Sequence, residues 1–432
     1  MAFLACALSG GLVISACASS ASGGSGGTGG SGQGNTQPLT IAVFNPYSGA
    51  NASYGPEGAS GCFAASTAIT ATGGILGHKT FTCIAVDTKG DPVDAVPAAR
   101  RMVAITTNLM GVLGPSSDEA SATAPILNGA HVPMMADTGQ VLYDHTNLAY
   151  FWRNTPSDDF YGYAMALYGH DAGYKNAALV FGNDISDQGT VPTLMKGFTK
   201  LGGHIAINEA IALDQPGYQS EVQRVIAAHP DVIFDEFDPQ TAATFFGELQ
   251  QAGASIPMIS TGAQYTNWIS AVSRAMGASN LAKIYHNVLG YSSAGGPAFN
   301  AYQSNLLASG ANVPDAKQWV HDPFSQAAYD GVVEFALAML ASHSTSPAVW
   351  DSYVTKVSNP SAGAVIVNTF AEGKAALAAG KTIDYVGVTG QADYNSWHNS
   401  NGAFTVTGYA PVNGALPLIK VYSAAAAVKL EG

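Results

Sequence analysis

The chain has 432 residues, 47% of them hydrophobic and 11% charged, with 17 basic and 30 acidic side chains and a net charge of −13. That length exceeds most single cores, so two domains are expected. The acidic balance excludes nucleic acid as a partner, because nothing supplies the phosphate-neutralising stripe that such binding needs.

Residues 1–17, MAFLACALSGGLVISAC, hold an apolar segment too short to span a bilayer securely. They read as the h-region of a secretory signal. The segment closes on Val13-Ile14-Ser15-Ala16-Cys17, which resembles the bacterial lipobox, with Cys17 as the lipidated residue that would anchor the chain to the cell membrane. No Lys or Arg precedes Lys79, so the usual charged n-region is missing; a plain signal peptide or a buried N-terminal strand are the alternatives. Residues 18–37 form a Gly/Ser/Thr tether that cannot bury enough apolar surface to order itself. About 20 such residues reach roughly 25 Å, from ~5–6 Å × √n. Of the four cysteines, Cys6 would leave with the signal and Cys17 would carry lipid. Cys62 and Cys83 remain as an even pair in an oxidising compartment, and a disulfide is expected between them. It would close a loop of about 20 residues, for roughly 3 kcal/mol in the chain-entropy picture.

The folded part opens with a buried parallel strand, Leu39–Phe44, then a loop, 45–58, that contains Tyr54. A helix carrying Cys62 follows, then the strand Phe81–Val86 with Cys83. Asp91 before Pro92 reads as an N-cap with proline at the first helical position, opening a helix over Val93–Ala104. The stretch Gly111–Gly139 then reads as strand, tight loop, helix, strand, loop, with the first strand ending at Gly114-Pro115. Small hydroxyl residues follow both strand ends: Ser116 and Ser117 after the first, Thr138 after Ala136-Asp137 at the second. Ligands of open α/β sheets bind outside the carboxyl ends of strands, and a helix N-terminus offers unpaired N–H groups. This stretch is therefore a candidate cradle for a small carboxylate or amide. Two ordinary βα turns would read the same way.

At these residues the chain resembles the type I extracytoplasmic solute-binding proteins, nearest the branched-chain amino-acid (Leu/Ile/Val) binding components of ABC transporters. The resemblance rests on PYSGANASYGPEGASGC, ATGGILGHK, VDTKGDPVDAVPAARRMV and GVLGPSSDEASATAPI, and later on YDGVVEFALAML and DYVGVTGQADY, and spans residues 38–425. It implies an α/β fold of two doubly wound, Rossmann-like lobes joined by a three-strand hinge. The first lobe would take residues 38–154 and 290–398, the second 155–289 and 399–425.

The rest of the chain is consistent with that plan. Phe151–Asp158 resembles the first crossover, and Ala177–Phe181 is a new buried strand ending in a loop with Asp187 and Gln188. Helix 190–201, strand His204–Ile207, helix Tyr218–Ala228 and strand Asp231–Phe234 follow. The loop Asp235-Glu236-Phe237-Asp238-Pro239-Gln240 mirrors GPSSDE, which puts one loop on each wall of a cleft. Met258–Ser260 leads to Gln264 on the second wall, Ile284–Leu289 leads back to the first lobe, 297–380 is mostly helical, and strands around Gly387–Tyr394 and Ala403–Tyr409 cross once more.

In the cleft, the resemblance implies that Ser116, Ser117, Ala136 and Thr138, with Asp137 in the same loop, hold a ligand carboxylate, and that Tyr54 covers it. Asp238, Asp187 and Glu236 are candidates for an ammonium, with Gln264 near the family's usual acidic position. The aromatic that the family places near Gln188 is missing, and Phe237 lies in the opposing loop. A glutamine holds an ammonium less well than a carboxylate. An amide, a urea-like molecule or another small acid therefore stands beside an amino acid as the ligand. Ser116 and Asp238 also suit plain helix capping, and Trp268, Trp319 and Trp397 read as packing residues.

The 10 histidines form no HExxH pair, and no GxSxG elbow or P-loop lysine motif occurs in the folded part. The expectation is a monomeric, lipid-anchored receptor without a cofactor. It captures a small polar solute and passes it to an ABC permease; a sensing receptor on the same lobes is the alternative.

Overall fold

The computed structural model describes residues 37–290, 295–400, 402–412 and 416–431. The signal, Cys6, Cys17 and nearly all of the tether lie outside them.

The first lobe is built on a five-stranded parallel sheet in the order β2-β1-β3-β4-β5. Its strands are β1 (Leu39–Asn45), β2 (Phe81–Asp87), β3 (Leu109–Ser116), β4 (Met134–Asp137) and β5 (Phe151–Trp152). Helices α1 (Tyr54–Ala71), α2 (Pro92–Ile105) and α3 (Ser117–Gly129) connect them. Every residue of β1 is buried, as the apolar run requires of a central strand. Alternate residues serve opposite faces: Ile41 and Val43 join one core cluster, Ala42 and Phe44 another. Asp91 caps α2 by accepting from the Val93 amide at 2.6 Å.

β3 does not stop at Gly114. It runs on through a cis Gly114-Pro115 peptide to Ser116. Gly114 sits at φ +105°, against the Phe44 carbonyl, where a side chain would collide with backbone.

The second lobe has seven strands in the order β15-β14-β10-β9-β8-β6-β7. Here α4 (Asp158–Asp171), β6 (Asn176–Gly182), α5 (Ile185–Gln188), α6 (Val191–Lys200), β7 (His204–Ile211), α7 (Gln219–Ala227), β8 (Val232–Glu236) and α8 (Pro239–Gln251) alternate. Next come β9 (Met258–Thr261), α9 (Thr266–Met276), α10 (Ala278–Ile284) and β10 (Tyr285–Leu289). The sheet is parallel from β7 to β10; β14 (Phe404–Thr407) and β15 (Leu418–Tyr422) add antiparallel strands. Two clusters again cover its faces, Leu179 and Phe181 on one, Ala178 and Val180 on the other.

Residues 297–394 return to the first lobe. Helices α11 (Pro297–Ala308), α12 (Pro323–Ser342), α13 (Pro347–Trp350), α14 (Val354–Ser358) and α15 (Phe370–Ala378) lie here, with a small sheet of β11 (Val365–Val367), β12 (Ile383–Gly387) and β13 (Gly390–Gln391). The stretch Gly387–Tyr394 therefore folds back on β12 rather than crossing. α12 is buried along most of its length and crosses α1 at Gly61, where a side chain would strike the Ser325 carbonyl. The last helix, α16, spans Ala424–Glu431. The Cys62–Cys83 disulfide ties α1 to β2.

Two strands of chain lie side by side between the lobes. The Arg153 amide donates to the His398 carbonyl at 3.0 Å, and the Ser400 amide donates to the Arg153 carbonyl at 2.9 Å. Trp152 stacks on His398 with ring centroids 3.8 Å apart. The Arg153 guanidinium is buried, paired with Asp144, and donates to the carbonyls of Gln140 at 3.2 Å and Thr138 at 3.4 Å.

Candidate functional site

The carboxyl ends of both parallel sheets face one gap. Each sheet reverses its strand order there, between β1 and β3 in one lobe and between β6 and β8 in the other, where open α/β sheets leave a crevice. A partly open cavity of about 60 Å³ occupies this gap. The first lobe contributes Tyr54, Ser117, Asp137, Thr138 and Phe324 to its wall. The second contributes Asp158, Tyr161, Ser186, Thr190, Glu236 and Thr261, and the connection between them supplies Thr155. A wider cleft of about 690 Å³ adjoins it, lined by Asp91, Asp118, Leu142, Asp184, Gln188 and, shared with the inner cavity, Asp158.

Local chain geometry explains these positions. β8 ends in two acids, and neighbouring strand residues point to opposite faces. Asp235 turns into the sheet interior and accepts from Ser260 Oγ at 2.7 Å, which leaves Glu236 to the cavity. Asp158 is the first residue of α4, its amide donating to the Gly139 carbonyl at 2.7 Å. Its carboxylate lies against Gly139 of one lobe and Gly189 of the other; a methyl group at either would collide with it. Tyr54 stacks on Phe324 with centroids 6.4 Å apart. Ser117 Oγ and Thr138 Oγ1 share a hydrogen bond of 3.0 Å.

The lobes also touch directly at the rim. Asn51 Nδ2 donates to Asp118 Oδ2 at 3.0 Å and to Asp184 Oδ2 of the opposite lobe at 3.1 Å. Asp118 Oδ1 accepts from the amides of Ile185 and Ser186, both at 3.2 Å. Thr266 Oγ1 donates to Asp322 Oδ2 at 2.8 Å at a second interlobe contact. The structure is thus a closed form, clasped at two points.

The walls are acidic. Burial pushes the carboxyls of Asp137 up to about 6 and of Asp158 up to about 7, the latter partly offset by Arg153. Glu236 is held well above the ordinary range by burial and then by Asp158 and Asp184. Asp118 is pushed to about 6 by burial and by Asp184. Glu236, and Asp158 in part, therefore hold protons near neutral pH unless positive charge enters the cleft, whereas Asp118 and Asp137 lose theirs at about 6.

Residues 38–358 match the family model described as periplasmic binding protein, which is most of the chain. The chain belongs to the periplasmic binding protein family. Members of that family are solute-binding proteins rather than enzymes, which implies an extracytoplasmic setting and a small-molecule ligand. Comparison with curated proteins gives no significant match. Among solved structures, the chain is similar to the branched-chain amino-acid transporter substrate-binding protein of Streptococcus pneumoniae in complex with isoleucine. The TM-score is 0.72 at 18% identity, over 90% of this chain and 100% of that one. A leucine-binding protein of Thermotoga maritima gives 0.70 at 17% identity, over 89% and 99%. A solute-binding protein of an ABC transporter from R. palustris in complex with benzoate gives 0.69 at 19% identity, over 90% and 97%. At these identities the likeness concerns the fold.

Within this binding protein the residues singled out from the sequence divide. Tyr54, Ser117, Asp137 and Thr138 meet at the inner cavity, with Tyr54 as the first residue of α1 rather than a loop residue. Ser116 does not reach it; its amide donates to Glu119 Oε1 at 3.3 Å and its Oγ to Glu119 Oε2 at 2.8 Å, closing a capping box. Ala136 is buried beside a separate cavity of about 20 Å³. Gln188 reaches only the outer cleft, and its Nε2 donates to the Gly182 carbonyl at 2.5 Å. Asp187 is buried against Gly182 behind the wall. Phe237 packs on Phe245 and Phe246, 5.8 and 5.7 Å away between centroids. Asp238 caps α8, accepting from the Gln240 and Thr241 amides at 2.8 and 3.1 Å, and faces an outer groove. Gln264 is buried; with its amide oriented to satisfy both ends it accepts from the Phe237 amide at 2.6 Å and donates to the Asp235 carbonyl at 2.9 Å. Asp158, Tyr161, Thr155, Thr190 and Phe324 also line the cavity, though none of them stood out from the sequence as a ligand contact. For Asp158 a signal existed: Ser157-Asp158-Asp159 opens a helix directly after the crossover, and Ser157 caps it.

Proposed function

We propose that this binding protein closes its two lobes on a small polar solute bearing an amino or amide group and delivers it to an ABC permease. Lipid on Cys17 and the tether behind it would hold the protein near that partner. Ser117, Thr138 and Tyr54 would contact the solute from the first lobe; Glu236 would do so from the second. The reading rests above all on a cavity between the lobes at the strand ends of both sheets. The solved relatives hold isoleucine or benzoate. The acidic wall here favours an amino-bearing solute over a benzoate, since an ammonium stabilises the charged forms of Asp158 and Glu236 that burial penalises, while a benzoate's carboxylate adds to that penalty.

Thermal-shift screening against isoleucine, leucinamide, urea and benzoate tests this. A solute at 100 times its dissociation constant adds about 2.7 kcal/mol of stability. If no compound raises the melting temperature while the protein hydrolyses an ester or amide, the binding reading is wrong.

A further inference from the structure

We propose that the solute carries net positive charge, an organic amine or amidine without a carboxylate, and that Asp158 and Glu236 hold its cationic end. This rests on the solute-binding reading above and narrows it. Three observations carry it.

The first is the sign of the walls. Every ionisable group on the inner cavity that bears charge in the accessible pH range is a carboxyl, namely Asp137, Asp158 and Glu236. The adjoining outer cleft adds Asp91, Asp118 and Asp184. No lysine, arginine or histidine is among the residues lining either space. Arg153 is the basic group closest to Asp158 in effect, and its guanidinium is already paired with Asp144 and two carbonyls. A zwitterionic solute would bring its own carboxylate into this field with only hydroxyls and amides to receive it.

The second is unmet hydrogen bonding. Asp158 Oδ2 and Glu236 Oε2 are buried without a partner, and so are the hydroxyls of Thr155 and Thr190 on the same cavity, 7% and 2% exposed. A buried polar atom without a partner is costly. An ammonium brings three donors and an amidinium four, so either satisfies both carboxylates at once, and the threonine hydroxyls can turn to accept.

The third is the remaining wall. Tyr54 and Phe324 place aromatic rings on the same cavity, a surface that suits a desolvated organic cation. Among the described residues no group of three or more acidic, histidine or cysteine side chains is placed to hold a metal ion, which directs the charge to an organic cation.

The test is a series on the leucine skeleton with one longer, linear cation added, titrated calorimetrically into the purified full-length chain near neutral pH. It comprises isoamylamine and leucinamide as cations, leucine as zwitterion, isocaproate as anion, and agmatine as a longer cation. At least one cation should bind about tenfold or more tightly than leucine, with isocaproate weakest. Asp158→Asn and Glu236→Gln should each weaken that cation about tenfold while circular dichroism stays unchanged. Leucine or isocaproate binding as tightly as every cation overturns the charge assignment and leaves the solute-binding reading standing. Heat from none of the five overturns the cation assignment, and the thermal-shift screen then decides the solute-binding reading separately. Cation affinity unchanged in both variants removes Asp158 and Glu236 from the site.

Discussion

Asp118 of the first lobe accepts a hydrogen bond from the Ser186 amide of the second at 3.2 Å. These residues lie 68 positions apart, one on each lobe. Asp118 also faces Asp184, with Asn51 donating to both. Asp118→Ala should remove this clasp without touching the inner cavity, which it does not line. Solute affinity should then fall about tenfold, in line with a lost set of charge-assisted hydrogen bonds. Small-angle scattering should show a larger radius of gyration for the ligand-free variant, and unchanged affinity would mean that closure does not depend on this contact.

Ser116 and Ser117 are neighbours with opposite duties. Ser116→Ala breaks the capping box with Glu119 and should cost about 1 kcal/mol of stability, with solute affinity preserved. Ser117→Ala and Thr138→Val should do the reverse, weakening binding while the melting temperature of the ligand-free protein stays near normal. Denaturant unfolding beside calorimetry separates the two outcomes.

Acid pH should stabilise the ligand-free protein. Burial raises the carboxyls of Asp137, Asp158 and Asp235 to about 6, 7 and 8, while unfolded carboxyls titrate near ~4. The folded state therefore binds more protons between those limits, and stability is lost as pH rises through them. A melting temperature higher near pH ~5 than near pH ~8 is expected, with a flatter profile for Asp235→Asn. Cation binding should run the other way, releasing protons and tightening as pH rises. A melting temperature that climbs with pH across this interval would contradict the cluster's raised proton affinity.

The disulfide between Cys62 and Cys83 encloses a sequence separation of 21 residues. Reduction should cost about 3 kcal/mol if the chain-entropy account holds. Thiol titration of a chain starting after the tether should find no free thiol before reduction and two after it.

Much of the architecture was legible because it rests on local rules. Apolar runs such as Leu39–Phe44 can only be buried strands, Asp91-Pro92 opens a helix wherever it occurs, and the block order resembled one family. Strand ends were harder. Pro115 suggested a stop, yet β3 continues to Ser116, and Gly114 allows the positive φ and the close approach to the Phe44 carbonyl there. The stretch Asp235–Gln240 read as a polar loop, yet its first two residues complete β8.

The sequence by itself determined the α/β alternation, the cysteine pair and the strand ends, because hydrophobic periodicity and turn chemistry act over a few residues; the two-lobed plan came from the family resemblance. Only the tertiary structure decided which polar side chains enter the cavity. Ser116 and Ser117, like Asp235 and Glu236, are adjacent and chemically alike, and backbone direction sends one of each pair inward and the other to the site. Asp158 matters because Gly139 and Gly189, distant in sequence, leave room for its carboxylate between the lobes. Desolvation and charge act through space, so their outcome is fixed by the partners that folding assembles around each group.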